Sequence, residues 1–197
     1  MIMEKYIIAI IKEKLHKVVI IQHLLTHLIG GISGRLRAYG VISYCYNLGD
    51  IENKGTKAIG VGGIVGENCA YNGTTQVEER KSIISYCYNK ANIVSVNERI
   101  GGIAGLNANY CEIKNCYVYS NSKIKYNTVE ATNTIGDTKN NYLGKIIGWN
   151  NEKAIESDNG IIDNMPTVYK VVNGLKDGSS EIWSNSNVNA PKLKWEK

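Results

Sequence analysis

Ile42-Ser43-Tyr44-Cys45-Tyr46-Asn47 returns almost letter for letter as Ile84-Ser85-Tyr86-Cys87-Tyr88-Asn89, and in looser form as Ile113-Lys114-Asn115-Cys116-Tyr117-Val118. A second signature alternates with the first: a glycine pair, a short apolar stretch and a third glycine. Its copies are Gly30-Gly31-Ile32-Ser33-Gly34, Gly62-Gly63-Ile64-Val65-Gly66 and Gly101-Gly102-Ile103-Ala104-Gly105, with a degraded fourth, Leu143-Gly144-Lys145-Ile146-Ile147-Gly148. With the second Gly and the Cys as markers, the order is Gly31, Cys45, Gly63, Cys87, Gly102, Cys116, Gly144, at intervals of 14, 18, 24, 15, 14 and 28 residues. Units averaging about 19 residues cannot each bury a core, so they must stack on their neighbours.

Short apolar runs bounded by Gly and Asn read as strands. A helical repeat would need segments of roughly 10–12 residues with 3.6 periodicity, and none lies between Gly30 and Trp149. The fold class expected is therefore all-β: a right-handed parallel β-helix (β-solenoid), preceded by an N-terminal amphipathic helix. Asn47 and Asn89, at matching turn positions, are placed to form a side-chain ladder between stacked strands. The uneven intervals put insertions in loops, notably Asn72 to Lys81, with its Asn72-Gly73 turn signal, and Tyr126 to Asn141.

The bulk composition agrees. Of 197 residues, 43% are hydrophobic and 21% charged, which excludes a disordered chain. Phe is absent and Pro occurs twice, while Ile, Asn, Tyr and Gly abound, a mixture suited to strands and turns. The net charge of +5 is spread along the chain with no run longer than Arg80-Lys81, so no nucleic-acid stripe is present.

The paired signatures resemble the GLUG motif, a Gly-Gly-apolar-apolar-Gly stretch followed by an apolar-x-x-Cys-Tyr-Asn stretch. The resemblance covers about residues 30–150. It implies β-helical repeats in large secreted or surface-anchored bacterial proteins, among them adhesin-like chains and some IgA-specific metallopeptidases, with the repeats serving as spacers or binding surfaces. Met165-Pro166-Thr167-Val168 and the ending Pro191-Lys192-Leu193-Lys194-Trp195 resemble the tail that follows such repeats in clostridial-type surface proteins. Lys145 and Val118 depart from the pattern, and both are expected to weaken the outer rungs.

Residues 1–29 have a different texture. Ile7, Ile10, Ile11, Val18, Ile21, Leu25 and Leu28 recur at helical spacing with lysines between them, which predicts an amphipathic helix. The apolar run is broken by Lys12 and no small-x-small site follows, so the stretch is a poor signal peptide; Gln22, His23 and His27 make it a poor membrane span. It reads as a cap on the solenoid, a membrane-surface helix, or the artefact of a truncated or frameshifted gene.

Chemistry-bearing constellations are sparse. His16, His23 and His27 would share a helix face, but His23-Leu24-Leu25-Thr26-His27 lacks the Glu that a zinc-protease helix uses as general base. No metal, cofactor or catalytic residue is assigned. Cys45, Cys69, Cys87, Cys111 and Cys116 contain no Cys-x-x-Cys, and the three at equivalent positions are expected to stack inward as reduced thiols. Asp50, Asp137, Asp158, Asp163 and Asp177 are isolated, unlike the carboxylate clusters of glycan-processing β-helices. If Cys faces inward, alternation turns Tyr44, Tyr46, Tyr86, Tyr88 and Tyr117 outward, either as half-buried packing or as a ligand-facing stripe.

The organisation expected is a helical segment over 1–29, repeats over 30–150 and a C-terminal cap or connector over 151–197. The role expected is a non-catalytic structural or adhesive segment of a secreted or cell-surface bacterial protein. The alternative is a non-catalytic part of a surface peptidase or of a glycan-processing β-helix enzyme. Expected partners are a host glycan or matrix protein, or neighbouring domains of a longer chain, and no nucleic acid. Membrane contact enters only if residues 1–29 are genuine.

Overall fold

A computed structural model of the chain describes residues 28–69 and 78–162 throughout, together with the backbone of Tyr6–Ile7, Lys17–Ile20, His27, Tyr71–Asn72, Thr75–Gln76, Trp183–Ser184 and Lys192–Leu193. The described chain is all-β apart from two short 3₁₀ turns, Glu78–Arg80 and Thr138–Asn140. Most of its strands form five stacked sheets, visited in the same order on each circuit, and equivalent strands of successive circuits pair in parallel; Tyr71–Asn72 with Thr75–Gln76, Ile124–Tyr126 with Val129–Glu130, and Trp183–Ser184 with Lys192–Leu193 pair antiparallel. This is the connectivity of a β-solenoid.

One complete coil runs through Val41–Ser43 (sheet I), Tyr46–Asn47 (sheet II), Asp50–Asn53 (sheet III), Ala58–Gly62 (sheet IV) and Val65–Cys69 (sheet V). The next coil repeats it with Ile83–Ser85, Tyr88–Asn89, Ile93–Ser95, Ile100–Gly101 and Ala104–Ala108. The coil after that uses Glu112–Lys114, Tyr117–Tyr119, Ile124–Tyr126, Leu143–Gly144 and Ile147–Asn150. Ile155–Ser157 and Gly160–Ile162 then continue sheets I and II, so the stacking runs past residue 150. The coil is thus about twice the unit suggested by the marker spacing, because each circuit contains one Gly-Gly signature and one Cys signature. Side chains that bond neighbouring coils are 42 residues apart at Asn47–Asn89, 39 at Asn68–Asn107 and 43 at Asn107–Asn150.

The amphipathic helix expected over 1–29 is not found where that stretch is described. Tyr6–Ile7 pairs with sheet I, Lys17–Ile20 with Asp50–Asn53 and His27–Gly30 with Ala58–Gly62, all in parallel. The physical reason is legible in Val18, Val19 and Ile20, whose β-branching favours the pleated surface, and whose register sets Val18 beside Ile51. The helical spacing of Ile7, Ile10 and Ile11 competes with this pairing. His16 and His23 lie outside the described residues, as do Met165-Pro166-Thr167-Val168 and most of Pro191–Trp195.

Inward positions form columns, one residue per coil. Ile42, Ile84 and Ile113 are aligned in register and fully buried, and Ile51, Ile93 and Ile124 form a second column. Two apolar clusters fill the bore, one around sheets I and V and the other around sheets III and IV. Between sheets IV and V the chain doubles back so tightly that backbones touch. A Cβ on Gly105 would lie 2.3 Å from the Val61 nitrogen and 2.7 Å from the Arg99 carbonyl oxygen. Such a close approach is open only to glycine, which explains the third glycine of the signature.

Candidate functional site

The corner between sheets I and II carries the tyrosines. Tyr44 and Tyr86 sit there with φ of 56° and 55°, in the left-handed region, and Asn115 and Asp158 take the same corner in later coils at 53° and 55°. A left-handed non-glycine residue costs on the order of 1 kcal/mol, offset here by stacking. The Tyr44 and Tyr86 rings are parallel within 6° at a centroid distance of 5.0 Å, and Tyr46 and Tyr88 repeat the arrangement at 5.2 Å.

The five tyrosines do not form a uniformly open stripe. Tyr44, Tyr46 and Tyr86 are half-buried, whereas Tyr88 is fully buried and Tyr117 is 6% exposed. Tyr88 packs at 6.2 Å against Tyr119, an aromatic not singled out from the sequence, and the Lys90 ammonium lies over the Tyr119 ring. Tyr117 donates its hydroxyl to the Asp158 carbonyl at 2.9 Å. Burial pushes the Tyr117 and Tyr119 phenols up to about 12. A ligand at this corner would therefore meet Tyr44, Tyr86 and Tyr46, and not all five rings.

Behind the tyrosines lies the thiol column. Cys45, Cys87 and Cys116 are buried and unbridged, as are Cys69 and Cys111. The Cys45 amide donates to the Cys87 sulfur at 3.4 Å, and the Cys87 and Cys116 thiols donate to the Ser85 and Lys114 carbonyls at 3.2 and 3.3 Å. Burial drives the Cys87 thiol well above its ordinary range and lifts Cys69 to about 11. Thiols held protonated in this way are poor nucleophiles and poor metal ligands. Among the described residues no group of three or more His, Cys, Asp or Glu converges to hold a metal ion.

Polar side chains inside the bore join coil to coil. Asn47 Nδ2 donates to Asn89 Oδ1 at 3.0 Å, forming the expected ladder, while each Asn also holds a nearby backbone amide, Gly49 or Ala91. A longer ladder was not anticipated: Asn68 donates to Asn107 and Asn107 to Asn150, both at 2.9 Å. Its sequence signal is the Gly-x-Asn that closes three Gly-Gly signatures, Gly66-Glu67-Asn68, Gly105-Leu106-Asn107 and Gly148-Trp149-Asn150.

Most charge sits on the outer surface, and part of it is paired. Arg35 bridges Glu67, Lys54 bridges Glu52 at 3.1 Å and Lys114 bridges Glu112 at 3.3 Å. Asp50 accepts from the Asn92 backbone amide at 2.8 Å and its side-chain amide at 3.2 Å. A shallow groove of about 260 Å³ on sheet III is lined by Asp50, Glu52, Asn92, Val94, Lys123 and Lys125. A cleft of about 340 Å³ at the corner of sheets III and IV is lined by Ile59, Asn97, Glu98, Arg99 and Tyr126. The Arg99 guanidinium beside it lies 4.7 Å from the Trp149 ring centroid. Mixed charges and half-buried aromatics of this kind suit polar surface contacts.

The model of one protein family, described as the GLUG motif, matches residues 96–118. Nothing matches among curated proteins or among solved structures. The matched stretch begins at the corner before sheet IV, passes through the glycine turn and sheet V, and ends in sheet II of the next coil. It thus spans the part of the circuit where backbones touch and thiols stack, and it leaves out sheet III.

Proposed function

We propose that this chain, a carrier of the GLUG motif, is a non-catalytic structural or adhesive segment of a secreted or cell-surface bacterial protein, built as a right-handed β-helix. The observation that carries this reading is the use of the interior polar groups. Asn47, Asn89, Asn68, Asn107 and Asn150 bond coil to coil, burial holds the Cys69, Cys87 and Cys111 thiols protonated, and the outer carboxylates of Glu52, Glu67 and Glu112 are each paired with a cation. Groups engaged in this way hold a column together and present faces; they are not arranged for turnover. A host glycan or matrix protein would meet the corner of Tyr44, Tyr46 and Tyr86 or the grooves of sheet III.

Antibodies raised against the folded chain test the location on intact cells of the source bacterium. Labelling without permeabilisation is expected, and labelling only after permeabilisation would refute a surface role. Glycan and matrix-protein arrays test the adhesive part, with loss of the signal expected on Tyr44→Ala/Tyr86→Ala in a chain that keeps its β-sheet spectrum.

A further inference from the structure

The last full coil differs from its predecessor most in the connection between sheets III and IV. Ser95 reaches Ile100 through residues 96–99, whereas the equivalent Tyr126 reaches Leu143 through residues 127–142. That insertion does not loop away from the column. Val129–Glu130 turns back antiparallel on Ile124–Tyr126 and occupies the outer edge of sheet III, with the Ala131 amide donating to the Ile124 carbonyl at 2.9 Å. The chain then crosses the outer edge of the glycine turn. The Lys145 and Ile146 amides donate to the Asn133 and Thr134 carbonyls at 2.7 and 2.9 Å, and the Gly136 amide donates to the Ile147 carbonyl at 3.0 Å. Ile135 bridges Ile147 in parallel, in the place a further coil's sheet V would take.

Apolar anchors hold the insertion down: Ala131 is buried in the cluster of sheets III and IV, and Ile135 packs on the other cluster. Asp137 caps the Thr138–Asn140 turn, and its own backbone amide donates to Asn140 Oδ1 at 2.8 Å. Lys145 completes the closure. It replaces the second glycine of the signature, where Gly63 and Gly102 face the Asn89 and Val118 side chains of the following coil. Its ammonium donates to the Ser122 carbonyl at 2.8 Å and to the Ser120 carbonyl and Glu130 carboxylate at 3.3 and 3.4 Å.

We infer that residues 127–142, pinned by Lys145, form an in-line cap that ends the stacking on sheets III, IV and V and hides a surface that would otherwise pair with a second copy of this chain. The occupant follows from the repeat. A bare coil edge presents unpaired amides and carbonyls together with the ends of the Ile and Asn columns, and the surface that complements it best is another coil of the same sequence. The Lys145 departure thus falls in the capped coil and ties it to Ser120, Ser122 and Glu130.

The test replaces residues 127–142 with the Val-Asn-Glu-Arg linker of 96–99 in the full chain, and follows sedimentation against concentration with far-UV circular dichroism as a folding check. A chain that keeps its β-sheet signal should shift from the 21.8 kDa monomer mass to at least twice that value as concentration rises. A folded variant that stays monomeric overturns the inference. If the variant loses its β-sheet signal, Ala131→Asp/Ile135→Asp, which keeps the chain length, is read by the same criterion. Hydrogen exchange on the unaltered chain gives an independent result: the amides of Ala131, Gly136, Lys145 and Ile146 should be protected to the level of Ile103, and exchange at the rate of unstructured chain overturns the inference.

Discussion

Replacing Gly105 by Ala puts one methyl group where sheets IV and V touch. The new Cβ would lie 2.3 Å from the Val61 nitrogen, 2.7 Å from the Arg99 oxygen and 2.8 Å from the Gly60 carbonyl carbon. All three are backbone atoms, so no side chain can rotate away. Two of them are the partners of one hydrogen bond, Val61 N–H to Arg99 C=O at 3.0 Å, which ties the coil of Val41–Cys69 to the next. Relief requires sheet IV to move off sheet V, leaving a buried donor unpaired at about 1–3 kcal/mol, with overpacking strain of about 1–3 kcal/mol besides. The lower entropy of the unfolded alanine chain returns only about 0.4–1 kcal/mol. The net loss is about 3 kcal/mol, which for a chain of this length lowers Tm by about 6–12 °C. Gly160→Ala is the control, because its Cβ would meet only Tyr117 ring carbons at 3.2 and 3.3 Å, and it should cost less than about 1 kcal/mol. Thermal unfolding followed by far-UV circular dichroism compares the two. Equal melting temperatures for both variants would refute the account of the third glycine.

Asn89→Ala removes the acceptor for Asn47 and the partners of the Ala91 amide and carbonyl; a loss of about 2–4 kcal/mol in urea unfolding is expected, and an unchanged midpoint would show that the ladder does not hold the coils. Lys145→Met keeps the apolar stem and removes the bonds to Ser120, Ser122 and Glu130, so exchange at Ala131 and Gly136 should accelerate while Ile84 stays protected; no change at the cap would contradict the pinning role. Native protein should show no thiol reactive with a disulfide reagent at pH 8, and all five after denaturation, since every cysteine is buried and unbridged; rapid native labelling of Cys87 would refute the thiol column. Burial raises Cys69 from 9.0 to about 11, and Tyr117 and Tyr119 from 10.0 to about 12. The folded state holds these protons more tightly, so the stability they contribute is intact below pH 9 and is lost as pH rises through about 11 and 12; a denaturation midpoint flat from pH 8 to 11.5 would contradict it.

Much of this architecture is legible in the letters. Identical residues at Ile42 and Ile84, Cys45 and Cys87, and Asn47 and Asn89 are in register neighbours across one coil, because a column exposes each position to its own copy and selects residues that pack against themselves. Sheet III was not legible. Its strands share only an inward Ile at 51, 93 and 124, since the outer face contacts solvent and accepts Glu52, Val94 or Lys125 alike. Missing that side halves the apparent unit, and this is why the markers suggested coils of about 19 residues when two signatures make one circuit. The tyrosine corner was half legible: alternation turned the rings outward, but it could not show that Tyr88 is covered by Tyr46 and Tyr119. At Tyr6–Ile7, Lys17–Ile20 and His27–Gly30 the apolar spacing pointed to a helix, but parallel pairing with the neighbouring coil makes these strands.

The most direct test of the account is which residues lie beside Ile84 in solution. Parallel coils about 4.8 Å apart, each carrying both signatures, set Ile84 between Ile42 and Ile113. Backbone and methyl nuclear Overhauser contacts from Ile84 to both should therefore be strong. Contacts from Ile84 to the glycine-bearing strand Ala58–Gly62 in their place would mean one signature per coil, and would contradict the five-sided column on which the rest of the account stands.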